Sequence, residues 1–101
     1  MKVHWKIKYC KRIKNNGFVL KTIINCIATN DSKTQAVTTF YSKYDYKGQD
    51  FVPFNKLENM DILNWLFDKV ERYKIESETA NKCDKIQSEI DNPQFSYSIP
   101  E

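Results

Sequence analysis

Three cysteines and one histidine are the side chains in this sequence best suited to covalent or metal chemistry. Cys10, Cys26 and Cys83 are an odd number without a C-x-x-C spacing, so we expect no disulfide framework. A tetrahedral zinc site would need all three of them and His4 to converge from distant segments, and we therefore predict no metal ion. No cysteine lies in a Gly-rich turn or at a clear helix start that would lower the pKa of its thiol. We predict buried, inert thiols at Cys10 and Cys26.

Pairs of carboxylates offer a second route to catalysis, through general acid–base chemistry. Asp61 with Asp68 and Glu76 with Glu78 are such pairs, but they fall on the solvated side of helical patterns. The chain has only two glycines, which argues against a Gly-rich loop that cradles a phosphate. We therefore predict a protein that is not an enzyme and that uses no cofactor.

Lysines recur on one side of a predicted strand near the N-terminus. Residues 2–9 alternate between bulky and basic side chains, the period of a half-buried strand, with Trp5 and Tyr9 on the bulky side. Spaced lysines suit phosphate binding, but stacking of single-stranded bases would need aromatic rings on the same side, and here they point the other way. Lysine is also common on the solvent side of an edge strand. The candidate basic face, with either role, is Lys2, Lys6 and Lys8.

Tyrosines and other aromatic residues form two candidate contact surfaces. Tyr41, Tyr44 and Tyr46 lie in and next to a polar loop, where tyrosine offers rigid, amphipathic area suited to recognition. The alternative is that these rings cover the edge of a helix. In the C-terminal tail, Phe95 and Tyr97 alternate with polar residues, a pattern that could add to the edge of a sheet.

The first half of the chain predicts a three-stranded meander. Asn15, Asn16 and Gly17 tolerate positive φ and predict a hairpin turn after the first strand. The β-branched run over residues 18–29 predicts the second strand. A turn cluster at 30–33 then leads to a third strand over residues 34–44.

The second half of the chain predicts helix. A loop and an extended segment over residues 45–54 precede a helical region over 55–92, whose start lies between 55 and 60 because Asn55 and Asn59 both offer caps. Apolar residues at spacings of three and four continue to Ile90, and Asn92 with Pro93 ends the pattern. Either one long helix bends near residues 72–74 or two helices follow one another. The second stretch has a thin apolar stripe that would lie on the sheet or on another copy.

These elements predict one α+β domain over residues 1–101. A three-stranded antiparallel meander (1–44) packs against one long or two consecutive C-terminal helices, and an extended aromatic tail (93–101) follows. The first 30 residues contain seven Lys or Arg and no Asp or Glu. Residues 52–101 contain six Lys or Arg and ten Asp or Glu. This split suits either a nucleic-acid face or a subunit that meets its neighbour charge to charge. The large side chains expected inside are Trp5, Phe18, Phe40, Phe54, Trp65 and Phe67.

The order of these parts resembles a family of small uncharacterised proteins of tailed bacteriophages. The similarity covers nearly the whole chain, and its most specific part is an extended F-x-P-F segment before a Trp-containing helix. A glycine that commonly separates two helices in that family is missing here, which favours one continuous helix. The matching residues are Trp5, Phe51, Pro53, Phe54, Leu57, Ile62, Leu63, Trp65, Leu66, Ile86, Ile90, Asn92, Pro93, Ile99 and Pro100.

The resemblance implies a phage origin and carries no active site. We expect a virion-associated subunit, made in the host cytoplasm, that binds other copies or other phage structural proteins and does not enter a membrane. Its contacts would be the tyrosines of the loop, the thin helical stripe and the aromatic tail. The alternative is an intracellular phage accessory protein that binds a host protein or nucleic acid through the basic first strand.

Overall fold

A computed structural model of the chain describes residues 1–13, 18–44 and 58–92. Strands β1 (Lys2–Arg12), β2 (Val19–Thr29) and β3 (Gln35–Lys43) are followed by helices α1 (Asn59–Phe67) and α2 (Arg72–Asp91). This arrangement confirms the predicted α+β class. The predicted first turn at residues 15–17, the 45–54 segment and the aromatic tail at 93–101 lie outside the described residues.

The strands form one antiparallel sheet in the order β1-β2-β3. The central strand β2 contains the β-branched run, which packs well on a pleated surface with neighbours on both sides. In the turn between β2 and β3, the Asn30 side-chain oxygen accepts a hydrogen bond from the backbone N–H of Thr34 at 2.9 Å. Lys33 has a φ of 64°, in the left-handed region. The turn therefore lies where the polar cluster at 30–33 predicts it.

A β-bulge at Lys8 breaks the alternation expected along β1. Ile7 pairs with Ile24 but Tyr9 pairs with Ile23, so Lys8 is an extra residue without a partner. A bulge shifts all later side chains of its strand to the opposite face. The prediction that Tyr9 lies on the same side as Trp5 is therefore wrong, because alternation alone does not reveal an inserted residue.

Two separate helices follow the sheet, which is the second of the two arrangements that the sequence leaves open, although the missing glycine favours one continuous helix. α1 begins with a capping-box contact in which the Glu58 backbone N–H donates to the Asp61 carboxylate at 2.9 Å. The chain then turns at residues 68–71 without a glycine. A continuous helix over 59–91 would be about 50 Å long, whereas an 11-residue strand spans about 36 Å. Breaking the helix lets α1 contact β1 and α2 contact β2 and β3.

The centre of the core is aliphatic, with aromatic rings around it. Ile24, Ile62 and Leu66 form one buried cluster, and Ala28, Ala36 and Cys83 form a second beneath α2. Of the six large residues predicted to be inside, Phe54 lies outside the described residues and the other five are only half-buried. The Trp5 ring illustrates their position, since it lies at the border between Phe40 and Phe67. The aromatic rings thus pack around the aliphatic cluster and do not form its centre.

The thin stripe of α2 packs on the sheet and is tied to the β2–β3 turn. Thr79 and Cys83 are fully buried, whereas Ile90 at the far end of the stripe is 61% exposed. The Asn30 side chain donates to Gln87 Oε1 at 3.0 Å, and the Cys83 thiol donates to the Thr34 carbonyl at 3.2 Å. Of the two partners expected for the stripe, the structure places the sheet against it. Neither helix in the described part of the chain is long and apolar enough to span a bilayer.

Candidate binding face

The sheet has one face covered by the helices and a second face over which none of the described helices or strands lies. Along β2, buried residues such as Ile24 alternate with half-buried residues such as Ile23. Residues that pair directly share a face, so the register assigns side chains to each side. The uncovered side, which we call the open face, consists of five cross-strand rows. They run from Lys2–Thr29–Gln35 at one end to Lys11–Lys21–Lys43 at the other.

One row of the open face contains two tyrosines. Because of the bulge at Lys8, Tyr9 pairs with Ile23, and Ile23 pairs in turn with Tyr41. The Tyr41 side chain is 78% exposed and that of Tyr9 is 46% exposed. We call Tyr9, Ile23 and Tyr41 the tyrosine row. Its two accessible rings offer flat, rigid area on which another planar group could stack.

The neighbouring row consists of three lysines. Lys11 pairs with Lys21, and Lys21 pairs with Lys43. All three side chains are exposed. Like charges at directly opposite positions destabilise a sheet, because their Cβ atoms are only about 5 Å apart. This lysine row therefore concentrates positive charge at one end of the open face, at a cost to the stability of the fold.

The rows on the other side of the tyrosines are mixed. Lys6 pairs with Asn25, whose side-chain oxygen accepts a hydrogen bond from the Thr39 hydroxyl at 2.8 Å. The next row, His4–Ile27–Val37, is mainly apolar, and Val37 is 41% exposed. The tyrosine row thus has a lysine on each side of it along β1.

The charge on the strands has a single sign. β1, β2 and β3 contain seven Lys or Arg residues and no Asp or Glu. Every carboxylate in the described ranges lies in the β2–β3 turn, on the helices or at their ends. The open face therefore presents lysines without a carboxylate of its own to neutralise them.

The thiols lie on the covered side of the sheet. Cys26 and Cys83 are fully buried and Cys10 is half-buried. Burial raises the pKa of the Cys10 thiol, opposed by the Arg12 charge. Burial also raises the pKa of the Cys26 thiol, opposed by the Thr79 hydroxyl and supported by Glu76. The raised pKa values of the Cys10 and Cys26 thiols favour the protonated form, which is a weak nucleophile.

Residues 1–100 match the model of a protein family described as Domain of unknown function (DUF7936). The chain belongs to this family. Because the match covers all five elements and the whole open face, the sheet with its two helices is the structure of a DUF7936 domain. No curated protein matches the chain, and no solved structure matches it.

The structure separates the tyrosines that the sequence groups together. Tyr41 lies on the open face, whereas Tyr44 lies on the covered side. The Tyr44 ring packs on Trp65 with 5.7 Å between ring centroids, its hydroxyl lies 3.3 Å from that of Thr22, and the Lys69 ammonium lies over it. This is the position expected of a ring that covers the helix edge. Tyr46, Phe95 and Tyr97 lie outside the described residues.

Two of the three lysines in the basic face proposed from the sequence belong to a wider surface in the structure. Lys2 and Lys6 lie on the open face, and Lys8 is exposed in the bulge. Sequence reasoning missed the tyrosine row and the lysine row. One signal in the sequence could have revealed the bulge. Lysines of β1 occupy even positions up to Lys8, but the next is at the odd position Lys11, which indicates an extra residue between them. The alternation in β1 does not predict that Lys21 of β2 and Lys43 of β3 lie in the same row as Lys11.

Proposed function

We propose that this protein is a binding protein and not an enzyme, and that it binds with the open face of its sheet. The observation that carries the proposal is the exposure of Tyr41 on a face that already carries Tyr9 and the lysine row. Tyrosine is enriched at recognition surfaces because it offers a large contact area at a small cost in side-chain entropy. The raised thiol pKa of Cys10 and Cys26 supports a role without covalent catalysis.

The setting we propose is a tailed bacteriophage, on the strength of the resemblance carried by the F-x-P-F segment and the Trp-containing helix. In that setting the protein acts either as a virion-associated subunit or as an accessory protein inside the infected cell. Mass spectrometry of purified particles separates the two: stoichiometric amounts support the virion subunit, and absence from the particle supports the accessory protein.

Contact with other copies or with phage structural proteins is a second candidate, favoured by the apolar part of the open face. Val37 is 41% exposed beside the half-buried Ile27, and such a strip can pack against another apolar surface. Light scattering combined with size-exclusion chromatography tests self-association directly. A monomer at all concentrations would contradict assembly between copies.

The chain contains a matched pair of residues for testing the open face. Tyr41 on β3 is 78% exposed and Tyr73 on α2 is 77% exposed, so both can be replaced at little cost to the core. We expect Tyr41→Ala to lose the macromolecule that co-purifies with the wild type under native conditions, whether protein or nucleic acid, and Tyr73→Ala to retain it. Equal retention by both variants would show that binding occurs elsewhere.

A further inference from the structure

We propose that the open face binds single-stranded nucleic acid, with phosphates on the lysine row and bases stacked on the tyrosine row. This inference rests on the proposed function, since it assigns a partner to the same face. The charge of the open face indicates the kind of partner. The open face carries Lys2, Lys6, Lys11, Lys21 and Lys43 and no carboxylate, so the complementary partner is an anion.

The row of paired lysines supports an anion that spans several strands. Lys11, Lys21 and Lys43 lie directly opposite one another, which is unfavourable in the free protein. A polyanion laid across the strands would neutralise all three at once and release its counterions. The same residues that weaken the free sheet would thus stabilise the complex.

The tyrosines favour a single-stranded nucleic acid over other polyanions. Tyr9 and Tyr41 lie on either side of Ile23, so about 10 Å separates their strands. The tyrosine and lysine rows are roughly 7 Å apart along the strands, by the two-residue repeat. Neighbouring backbone charges and planar groups at such short separations are the features of a single strand, whose bases are free to stack on exposed rings. In a duplex the base faces are already stacked, and an acidic peptide carries few planar groups.

The structure also removes the objection that sequence alone raises against this partner. Strict alternation would place Tyr9 on the covered side, away from the lysines. The bulge at Lys8 places it on the open face, and β3 adds Tyr41 to the same row. Aromatic and basic side chains therefore share one surface, as binding to single strands requires.

The first test measures the electrostatic contribution with a fluorescein-labelled 15-nucleotide oligothymidylate in fluorescence anisotropy titrations. We expect binding by the wild type that weakens with NaCl. The double variant Lys21→Gln/Lys43→Gln should bind at least about tenfold more weakly at 50 mM NaCl, with a salt slope smaller by about 1.4 because each phosphate contact contributes about 0.7 on single strands. The control Lys74→Gln/Lys85→Gln removes the same charge from exposed positions of α2 and should bind as the wild type does.

The second test measures stacking. Tyr41→Ala should weaken binding of the same oligonucleotide roughly tenfold, the effect typical of one lost base stack. Tyr41→Phe, which keeps the ring, should bind within about twofold of the wild type, and so should Tyr73→Ala. Loss of affinity in Tyr41→Phe equal to that in Tyr41→Ala would overturn stacking. Circular dichroism of each variant shows that the fold is retained.

Competition and assembly measurements decide between this inference and its alternatives. Unlabelled single-stranded RNA or DNA should displace the probe at lower concentration than a duplex, polyglutamate or vesicles of anionic phospholipid. Better competition by any of those three would overturn the nucleic-acid assignment. If no oligonucleotide binds but the co-purified partner is still lost with Tyr41→Ala, the inference fails while the proposed binding face stands. If neither loss occurs, both fail.

Discussion

At the scale of single residues, buried polar groups show how the sheet and α2 are held together. Thr79 is fully buried, and its hydroxyl donates to the Ile75 carbonyl at 2.7 Å. That hydroxyl has one proton, so in its 2.7 Å contact with Thr38 it must accept. The result is a short chain of hydrogen bonds from β3 through Thr79 to the backbone of α2.

Removing the Thr79 hydroxyl should weaken this link. Thr79→Val keeps the shape of the side chain but leaves the Thr38 hydroxyl without its acceptor, which we expect to lower the free energy of unfolding by about 1–2 kcal/mol. Urea denaturation measures the change. Thr79→Ser retains the hydroxyl but removes a buried methyl group, so its loss measures packing separately from the hydrogen bond. Unchanged stability in Thr79→Val would contradict a contribution from the hydrogen bond.

The raised thiol pKa of Cys26 predicts a pH dependence of stability. A thiol whose pKa is higher in the folded than in the unfolded chain stays protonated when the unfolded chain has begun to lose its proton. The contribution of this thiol to stability is therefore fully present below the ordinary thiol pKa of about 8.5, and it is lost as the pH rises above that value. We expect the free energy of unfolding to fall between pH 7.5 and 9.5, and to fall less in Cys26→Ala. An identical fall in both proteins would contradict a contribution from this thiol.

At the scale of elements, β1 determines which side chains reach the open face. Its bulge turns Tyr9 and Lys11 to the open side and turns Cys10 toward the core. If Lys8 instead paired regularly with β2, either the residues before it or those after it would face the correct side, but not both.

Deleting Lys8 should leave the later side chains of β1 on their present faces. Without this extra residue, Ile7–Ile24 and Tyr9–Ile23 become successive pairs of a regular ladder, so Tyr9 and Lys11 stay on the open face. We therefore expect the deletion to retain the fold, and Lys8→Ala, which keeps the inserted residue, to change the free energy of unfolding by less than about 0.5 kcal/mol. Thermal unfolding followed by circular dichroism compares the two. A deletion variant much less stable than Lys8→Ala would show that β1 needs the bulge itself to fit the sheet.

The elements also show how far the sequence predicts this fold. Periodicity identifies all three strands and both helical stretches, because alternation and the spacing of three and four residues follow from local geometry. No glycine or proline marks the helix break at 68–71 in the sequence. The break instead follows from the size of the sheet relative to one continuous helix, and a local sequence pattern does not contain that information. The open face is predictable only in part. Lys2 and Lys6 follow from alternation, whereas Tyr9, Tyr41 and the lysine row depend on the bulge and on strand register.

At the scale of the whole molecule, charge is divided between two layers. The strands are basic, and the described carboxylates lie in the β2–β3 turn and the helical layer. Such a molecule has a positive side that can orient an approaching anion before contact. The lysine row at one end of the sheet is the most concentrated part of that charge.

Neutralising the middle of the lysine row should stabilise the free protein. Lys21 faces lysines on both sides, and we expect Lys21→Gln to raise the free energy of unfolding by about 0.2–1 kcal/mol at 20 mM NaCl. The gain should shrink at 500 mM NaCl because salt screens exposed charges. Thermal unfolding at the two salt concentrations measures it. Lys74→Gln is the control on α2, and an equal gain there, or a loss in Lys21→Gln, would contradict repulsion within the row.

The bulge also has a consequence for how this surface can change during evolution. Lys8 has no partner on β2, so most point substitutions in its codon leave the surface as it is. Loss of the whole codon would also keep the aromatic ring and the cation on the surface, because Ile7 and Tyr9 already pair with successive residues of β2. Among members of the family, we therefore expect both the identity and the presence of the residue at the bulge to vary while the flanking pairs are kept.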